Sequence, residues 1–322
     1  MKKTKTELEG SPVVKDYTIE DIRSIKADLS NRGFQATEIG DAVSVIRKMK
    51  KDKCTVYFTF TANMVASGLR GLFALLCRHK FVDVIITTPG ALEHDVIKTY
   101  KPYLTGGFVM DDKDLHSRGI NRIGNILVPN DRYVLLEEKS MQMLNSLYAK
   151  NKIISPSEIA HEFGRMISES KDVDQVADKE NSFLYWAYKN NIPVFVPGIT
   201  DGALGLHIYM FKQKRTDVIV DVTKDMKRLA DITLTADKTG GIILGGGISK
   251  HHAIGVNIVR DGLDYAVYVT TAQPWDGSLS GARTTEAVSW GKVKEKAAHV
   301  TVDCDATVAF PLIVAGVQDL LK

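Results

Sequence analysis

Short apolar runs rich in β-branched residues recur along this chain, each followed by a stretch of helical periodicity. That alternation constrains the fold more than any other feature. CTVYFTF (Cys54–Phe60) precedes the helix-like MVASGLRGLFALLCRHK, and FVDVIITT (Phe81–Thr88) precedes PGALEHD and a further helix. The rhythm resumes in IPVFVPG (Ile192–Gly198), DVIVDV (Asp217–Val222), GIILGGG (Gly241–Gly247), DYAVYVTT (Asp264–Thr271) and HVTVDC (His299–Cys304). Helices are expected between them near Lys224–Ala230, Ser249–Arg260 and Glu286–Lys292, with a last one near Pro311–Leu321. Such an order implies parallel strands joined by right-handed crossovers. Near-continuous apolar runs suit strands buried on both faces. Upstream, Ile19, Ile22, Ile25 and Leu29 predict a helix from Thr18 that stops near Gly33, and a second helix spans about Thr37–Lys50. Ser155, Pro156 and Glu158 form a capping-box start for another. Residues 1–15 read as a loose arm, and about Tyr100–Met141 reads as a less regular excursion over the ligand site.

Length and charge narrow the class. The 322 residues allow one large α/β domain or two small ones. Lys+Arg 42 against Asp+Glu 39 leaves +3, so bulk charge makes no case for nucleic acid or an anionic membrane. The sequence contains no apolar run of membrane-spanning length and no signal-peptide pattern at its start. Cys54, Cys77 and Cys304 read as buried reduced thiols, not as a disulfide framework or a metal site. A cytoplasmic protein is expected.

In an open parallel sheet, ligands sit beyond the carboxyl ends of the strands. Six turns occupy that position: TANMVASG, TTPGALEHD, PGITDG, GGGISKHH, TTAQPWDGSLSGAR and DCDAT. All are rich in Gly, Thr, Asp or Asn, which lets a ligand approach the backbone and the helix N–H groups that follow. So many polar strand ends suggest a polar ligand of dinucleotide size. Gly245, Gly246 and Gly247 are not a GxGxxG fingerprint, because Lys250 occupies the final position, and no Walker A motif, GxSxG elbow, HExxH or paired CxxC occurs. His251 and His252 follow the glycines; adjacent residues at a helix start point in different directions, so one can face a ligand while the other packs. In GARTTEAVSWGK (Gly281–Lys292), Glu286 and Trp290 lie four apart on one helix face, ahead of Lys292. The segment reads either as an amphipathic helix with a buried tryptophan and a solvated lysine, or as an amine nucleophile beside an aromatic wall. In the second case desolvation would expose the lysine lone pair, and Glu286 and Trp290 would hold a cationic substrate.

These residues carry a family resemblance. GGGISKHH, DYAVYVTTAQPWDGSLSGA and EAVSWGK together resemble deoxyhypusine synthase. NRIGNILVPNDRY (Asn121–Tyr133), FTANMVASGLRG, TTPGALEHD and VFVPGITDGALG resemble its other motifs, in the expected order from about residue 16 to the C-terminus. The resemblance implies a single large α/β domain over 16–322 with a Rossmann-like NAD-binding sheet. It also implies a homotetramer whose active sites are shared across an interface. The implied reaction removes hydride from the carbon beside the secondary amine of spermidine, with NAD as acceptor. The aminobutyl group then passes to an enzyme lysine as an imine, and 1,3-diaminopropane leaves. Next the group moves to a lysine of the translation factor precursor that carries hypusine, and NADH reduces the final imine, with no net redox change. By position, Lys292 matches the covalent lysine and His251 the residue near the substrate amine. Glu93, Gly277, Ser278, Glu286 and Trp290 match polyamine contacts. Asn63, Thr88, Gly90, Asp201, Gly246, Thr271, Asp276, Asp305 and Ala306 match the NAD contacts. No metal, nucleic acid or membrane is implied.

Three positions depart from the animal and fungal pattern. DGALGL places Leu206, and DGSLSGAR places Leu279, where those members have an aspartate; His94 follows Glu93 where they have a second acid. The DGSLSGA form matches archaeal members. Each lost carboxylate removes a charged hydrogen bond worth roughly 1.5–3 kcal/mol. This motivates a variant reading with the same chemistry, in which the donor is agmatine or another amine, or the acceptor a free diamine as in homospermidine synthesis. A third reading is a catalytically degenerate NAD-binding relative.

Overall fold

The computed structural model describes residues 12–23, 29–170 and 178–321. Six strands form the central sheet: β1 (Thr55–Thr59), β2 (Val84–Ile86), β3 (Val194–Phe195), β4 (Thr239–Leu244), β5 (Leu263–Thr270) and β6 (Val293–Asp303). They lie in the order β6-β5-β4-β1-β2-β3, and every pairing is parallel. This is the doubly wound order of a Rossmann-type sheet, whose direction of winding reverses between β1 and β4.

Both faces of the sheet are buried, and the alternation along each strand shows how. Val56, Phe58, Ile85, Ile242, Leu244, Val267 and Val269 join one core cluster, with the helices Phe34–Lys51, Leu69–Arg78 and Ala306–Gly316. Tyr57, Val84, Ile86, Ile243, Ala266 and Tyr268 join the other, against Leu229, Ala253, Ile254 and Ala287 of the helices Val222–Thr235, Gly247–Val256 and Thr284–Ser289. The period of two that sorts side chains between faces explains why these runs read as continuously apolar. The expected α/β class with helices on both faces is what the chain adopts.

Several local expectations change. Residues 1–11 and 24–28, including Ile25, lie outside the described residues, and the first helix is described over Ile19–Arg23. Residues 12–15, expected in a loose arm, are tied down. Val13 bridges to Leu104, the Val14 N–H donates to Tyr103 O at 3.0 Å, and Thr105 N donates to Pro12 O at 2.7 Å. The Tyr100–Met141 stretch holds its own antiparallel sheet of Leu104–Thr105, Ile126–Pro129 and Ile120–Ile123. The single helix expected after β1 is two, Ala62–Ala66 and Leu69–Arg78. Ser67 Oγ bonds Met64 O at 2.6 Å and accepts from Leu69 N, while Gly68 lies against Lys15 O, so the backbone turns between them. Asp217–Val222 is not a strand of the main sheet: Ile219–Val220 pairs only with Ile153–Ile154, because Asp221 already caps the helix Val222–Thr235. The last helix begins at Ala306, capped by Asp305, and runs through Pro311. The capping box forms as expected, Glu158 N donating to Ser155 Oγ and Ser155 N to Glu158 Oε2. Cys54 and Cys77 are buried, Cys304 is half-buried, and all three are free thiols. Among the described residues no helix is long and apolar enough to cross a membrane, and no group of side chains could hold a metal ion.

Candidate active site

The six polar turns all follow strands of the one sheet, so they share its carboxyl edge. The turns after β1 and β4 flank the switch point, where such sheets bind ligands. Asn63 and Gly246 therefore face the same crevice from its two sides. Gly245 has φ +76° and lies so close that a side chain there would contact Thr61 Oγ1. The turn after β2 is laced to that after β1: Ala62 N donates to Thr88 Oγ1 at 3.1 Å, and a Cβ on Gly90 would press on Ala62. A Cβ on Gly246 would overlap Ser280, whose Oγ accepts from Gly247 N at 3.1 Å. The triple glycine thus lets two strand-end turns pack together, while the far side of Gly247 is open. Thr271 and Asp276 extend the crevice from β5; the Asp276 carboxylate accepts from Ser278 N at 2.7 Å and is held below its usual range by Ser278. Asp201 and Asp305 are not brought together. They follow β3 and β6, the two edge strands, about 24 Å apart at ~4.8 Å per strand spacing. Ala306, beside Asp305, opens the last helix.

The segment carrying Lys292 is fixed by a helix ending. The helix Thr284–Ser289 stops at Trp290, and Gly291 takes φ +64°. Gly291 N then donates to Val288 O and Lys292 N to Ala287 O, both at 2.9 Å, the Schellman pattern that a left-handed glycine permits. Lys292 O accepts from Leu263 N at 3.0 Å, so the lysine backbone is also stitched to the start of β5. The other end of the helix is held by Thr284 N on Thr301 Oγ1 at 3.2 Å, by His299 Nδ1 against Thr284 Oγ1 at 2.9 Å, and by an Arg283–Asp303 ion pair.

Glu286 and Trp290 do meet Lys292, though not as one helix face, since Trp290 is the residue that caps the helix. The Lys292 amine is 5.2 Å from the Trp290 ring centroid, and the indole is 66% exposed, so the aromatic wall stands in the open in a single chain. Lys292, Trp290 and Glu286 line a cavity of about 30 Å³ with Lys250, Tyr268 and Leu279. His251, exposed on the neighbouring helix, is near enough for the Lys292 charge to add to burial in holding its imidazole below the ordinary range. His251 and His252 do diverge, His252 being more enclosed, and both border a shallow groove with Met226 and Val259. Gly277, at φ +72°, and Ser278 are exposed on the β5 turn.

Glu93 and His94 sit on the helix Pro89–Tyr100, almost every residue of which is buried. Glu93 Oε1 accepts from Leu204 N at 2.8 Å, at the start of the helix Ala203–Lys214, and burial pushes the carboxyl pKa up. Leu206, half a turn further, is 51% exposed. His94 points away from the turns: its Nδ1 pairs with Tyr103 OH at 2.8 Å, and burial pushes its pKa down to about 4. It cannot replace an acid at the site. Sequence reasoning treats Lys250 only as the residue that spoils a glycine fingerprint. In the structure Lys250 and Tyr268 are among the most buried large side chains and line the cavity with Lys292. The one available signal was a lysine three residues after a strand-end triple glycine.

Comparison with known proteins bears on the whole chain. Residues 24–317 match the deoxyhypusine synthase family pattern. A probable deoxyhypusine synthase of Methanocaldococcus jannaschii is 45% identical over 318 residues, 95% of each chain. That of Pyrococcus furiosus is 42% identical over 326 residues, 97% of this chain and 96% of the relative. A crystal structure from Entamoeba histolytica, described as a "putative deoxyhypusine synthase", superposes with TM-score 0.66 at 25% identity over 96% of this chain and 98% of that one. With a family match over residues 24–317, archaeal relatives above 40% identity and a structural neighbour superposing over 96% of its length, this chain belongs to the deoxyhypusine synthase family.

Proposed function

We propose that this enzyme transfers the aminobutyl group of spermidine to a lysine of the hypusine-carrying translation factor precursor, by way of an imine on Lys292. The observation that supports this most is the mounting of Lys292. Its backbone is pinned on both sides, and its amine shares one small cavity with a carboxylate and an indole. The Lys292 amine attacks the oxidised amine carbon and 1,3-diaminopropane leaves. The acceptor lysine then displaces Lys292 by the same exchange. His251, kept neutral by its surroundings, takes up the proton that an attacking ammonium must lose. Glu286 offers a charge and Trp290 a ring face to the cationic amine, with Glu93, Gly277 and Ser278 as further contacts. NAD, when bound, supplies the hydride acceptor for the amine carbon and the hydride donor for the product imine.

The residues present suit that cofactor. The crevice at the switch point has open glycine backbone at Gly247, and Asp201 and Asp276 present exposed carboxylates able to accept from ribose hydroxyls. Asn63, Thr88, Gly90, Asp201, Gly246, Thr271, Asp276, Asp305 and Ala306 would hold it. A homotetramer with shared sites suits the separation of Asp201 from Asp305, and we place the reaction in the cytoplasm, with residues 16–322 as the catalytic unit.

Leu279 in the cavity wall favours one second reading, the same imine chemistry with agmatine or another amine as donor, or with a free diamine as acceptor. The test is incubation of the full chain with NAD, each candidate amine and the precursor, followed by borohydride and peptide mass spectrometry. A spermidine-derived adduct on Lys292 and a modified acceptor lysine are expected, with Lys292→Ala at least ~10³-fold slower. An adduct formed only with agmatine selects the second reading. The absence of any adduct on Lys292 overturns both.

A further inference from the structure

Lys250 has no place in the chemistry above, yet its setting is unusual for a lysine. It is 1% exposed, on the helix Gly247–Val256 directly before His251. Its amine donates to Leu279 O at 2.8 Å and to Ala282 O at 2.6 Å, and lies 4.4 Å from the ring centroid of Tyr268. Lysine is rarely buried without a counter-charge. Among the described residues no carboxylate touches the amine, Glu286 acting on it only from across the cavity; its partners are two carbonyls of the turn after β5 and an aromatic face.

We propose that Lys250 is a positioning residue that fastens the Gly277–Ala282 turn to the His251 helix, and so sets the wall of the cavity into which Lys292 projects. Three features make the fastening specific. The two carbonyls flank Ser280, which packs on Gly246 and accepts from Gly247, so the lysine closes the same contact from the opposite end of the turn. The Leu279 side chain lines the cavity beside Lys292, so moving its carbonyl moves that wall. An amine also keeps two N–H groups when neutral, one for each carbonyl. Burial lowers the Lys250 pKa to about 8, and the contact survives loss of the third proton.

The kinetic part of this inference rests on Lys292 acting as the amine nucleophile; the structural part does not. The test uses full-length wild type, Lys250→Met and Lys250→Gln. The methionine variant keeps the apolar stem and removes both donors, whereas glutamine restores an NH₂ group. In Lys250→Met, amide exchange across Ser278–Arg283 is expected to accelerate about tenfold, equivalent to ~1.4 kcal/mol, with β4 and β5 unchanged. NAD affinity is expected to hold within a factor of about three, while the borohydride-trapped Lys292 adduct falls about tenfold, and Lys250→Gln recovers part of both losses. Unchanged exchange in that turn overturns the proposal, as does equal loss in the glutamine and methionine variants. Should neither variant fold, reductive methylation of wild type decides: Lys250 is expected to stay unmodified, and methylation at the rate of exposed lysines overturns the proposal. Failure of wild type to trap any amine on Lys292 sinks the functional reading alone, because the exchange result still judges the strut.

Discussion

Replacing His94 by glutamine should flatten the acid limb of the stability curve. His94 is 6% exposed and bonded to Tyr103 OH, with the Lys98 ammonium nearby. Burial first, and Lys98 second, lower its pKa from 6.5 to about 4. The unfolded chain therefore takes up the proton first as the pH falls through 6.5, and stability is lost between that value and about 4, where the native imidazole also protonates. The slope is about 1.4 kcal/mol per pH unit, so the whole window costs about 3 kcal/mol. The His94→Gln side chain retains a hydrogen-bond partner for Tyr103 and does not titrate. Denaturant unfolding of both proteins at pH 7 and pH 5 isolates the effect, since the other titrating groups are common to both. Wild type should lose about 2 kcal/mol more than His94→Gln between those values. Parallel pH profiles would refute the reasoning, as would a His94 resonance titrating near 6.5 in the folded protein. Either result would return His94 to consideration as a ligand at the site.

Two further substitutions probe the frame around the site. Gly246→Ala places a methyl group against Ser280, and overpacking of that kind should cost about 1–3 kcal/mol in thermal unfolding and weaken NAD binding; an unchanged melting temperature would show that the turns after β4 and β5 are free to part. Arg70→Met removes the wholly buried guanidinium that binds Asp95 at 2.6 Å and Asp16 at 2.9 Å, leaving Asp16 to Lys98 and Asp95 with only the neutral donors Ser182 Oγ and Leu184 N. Loss of one partner from a buried ion network should cost about 3–5 kcal/mol, read by denaturant unfolding, and a loss below about 1 kcal/mol would contradict the pairing.

The alternation of β-branched runs and helical periods located all six strands of the sheet and the polar turns after them, because the two periods are local properties of the chain. It also set Asp217–Val222 beside them, where only Ile219–Val220 is a strand, paired with Ile153–Ile154 outside the main sheet, and Asp221 serves the next helix. EAVSWGK read as a helix over Glu286–Lys292, whereas the helix is Thr284–Ser289 and Gly291, at φ +64°, turns the chain back before the lysine. In the sequence Glu93 matches a polyamine contact and His94 stands beside it where animal and fungal members have a second acid. Their roles separate only when the helix Pro89–Tyr100 is packed, which turns one toward Leu204 N and the other toward Tyr103. Lys250 was the hardest residue to read, because its partners are backbone carbonyls about thirty positions away, and every residue type carries such a carbonyl. The sequence by itself determined which segments are strands, which are helices, and where the polar turns fall. Only the tertiary structure decided the order of the strands, and with it which turns face one another across the switch point, because that order depends on contacts between residues far apart in the chain.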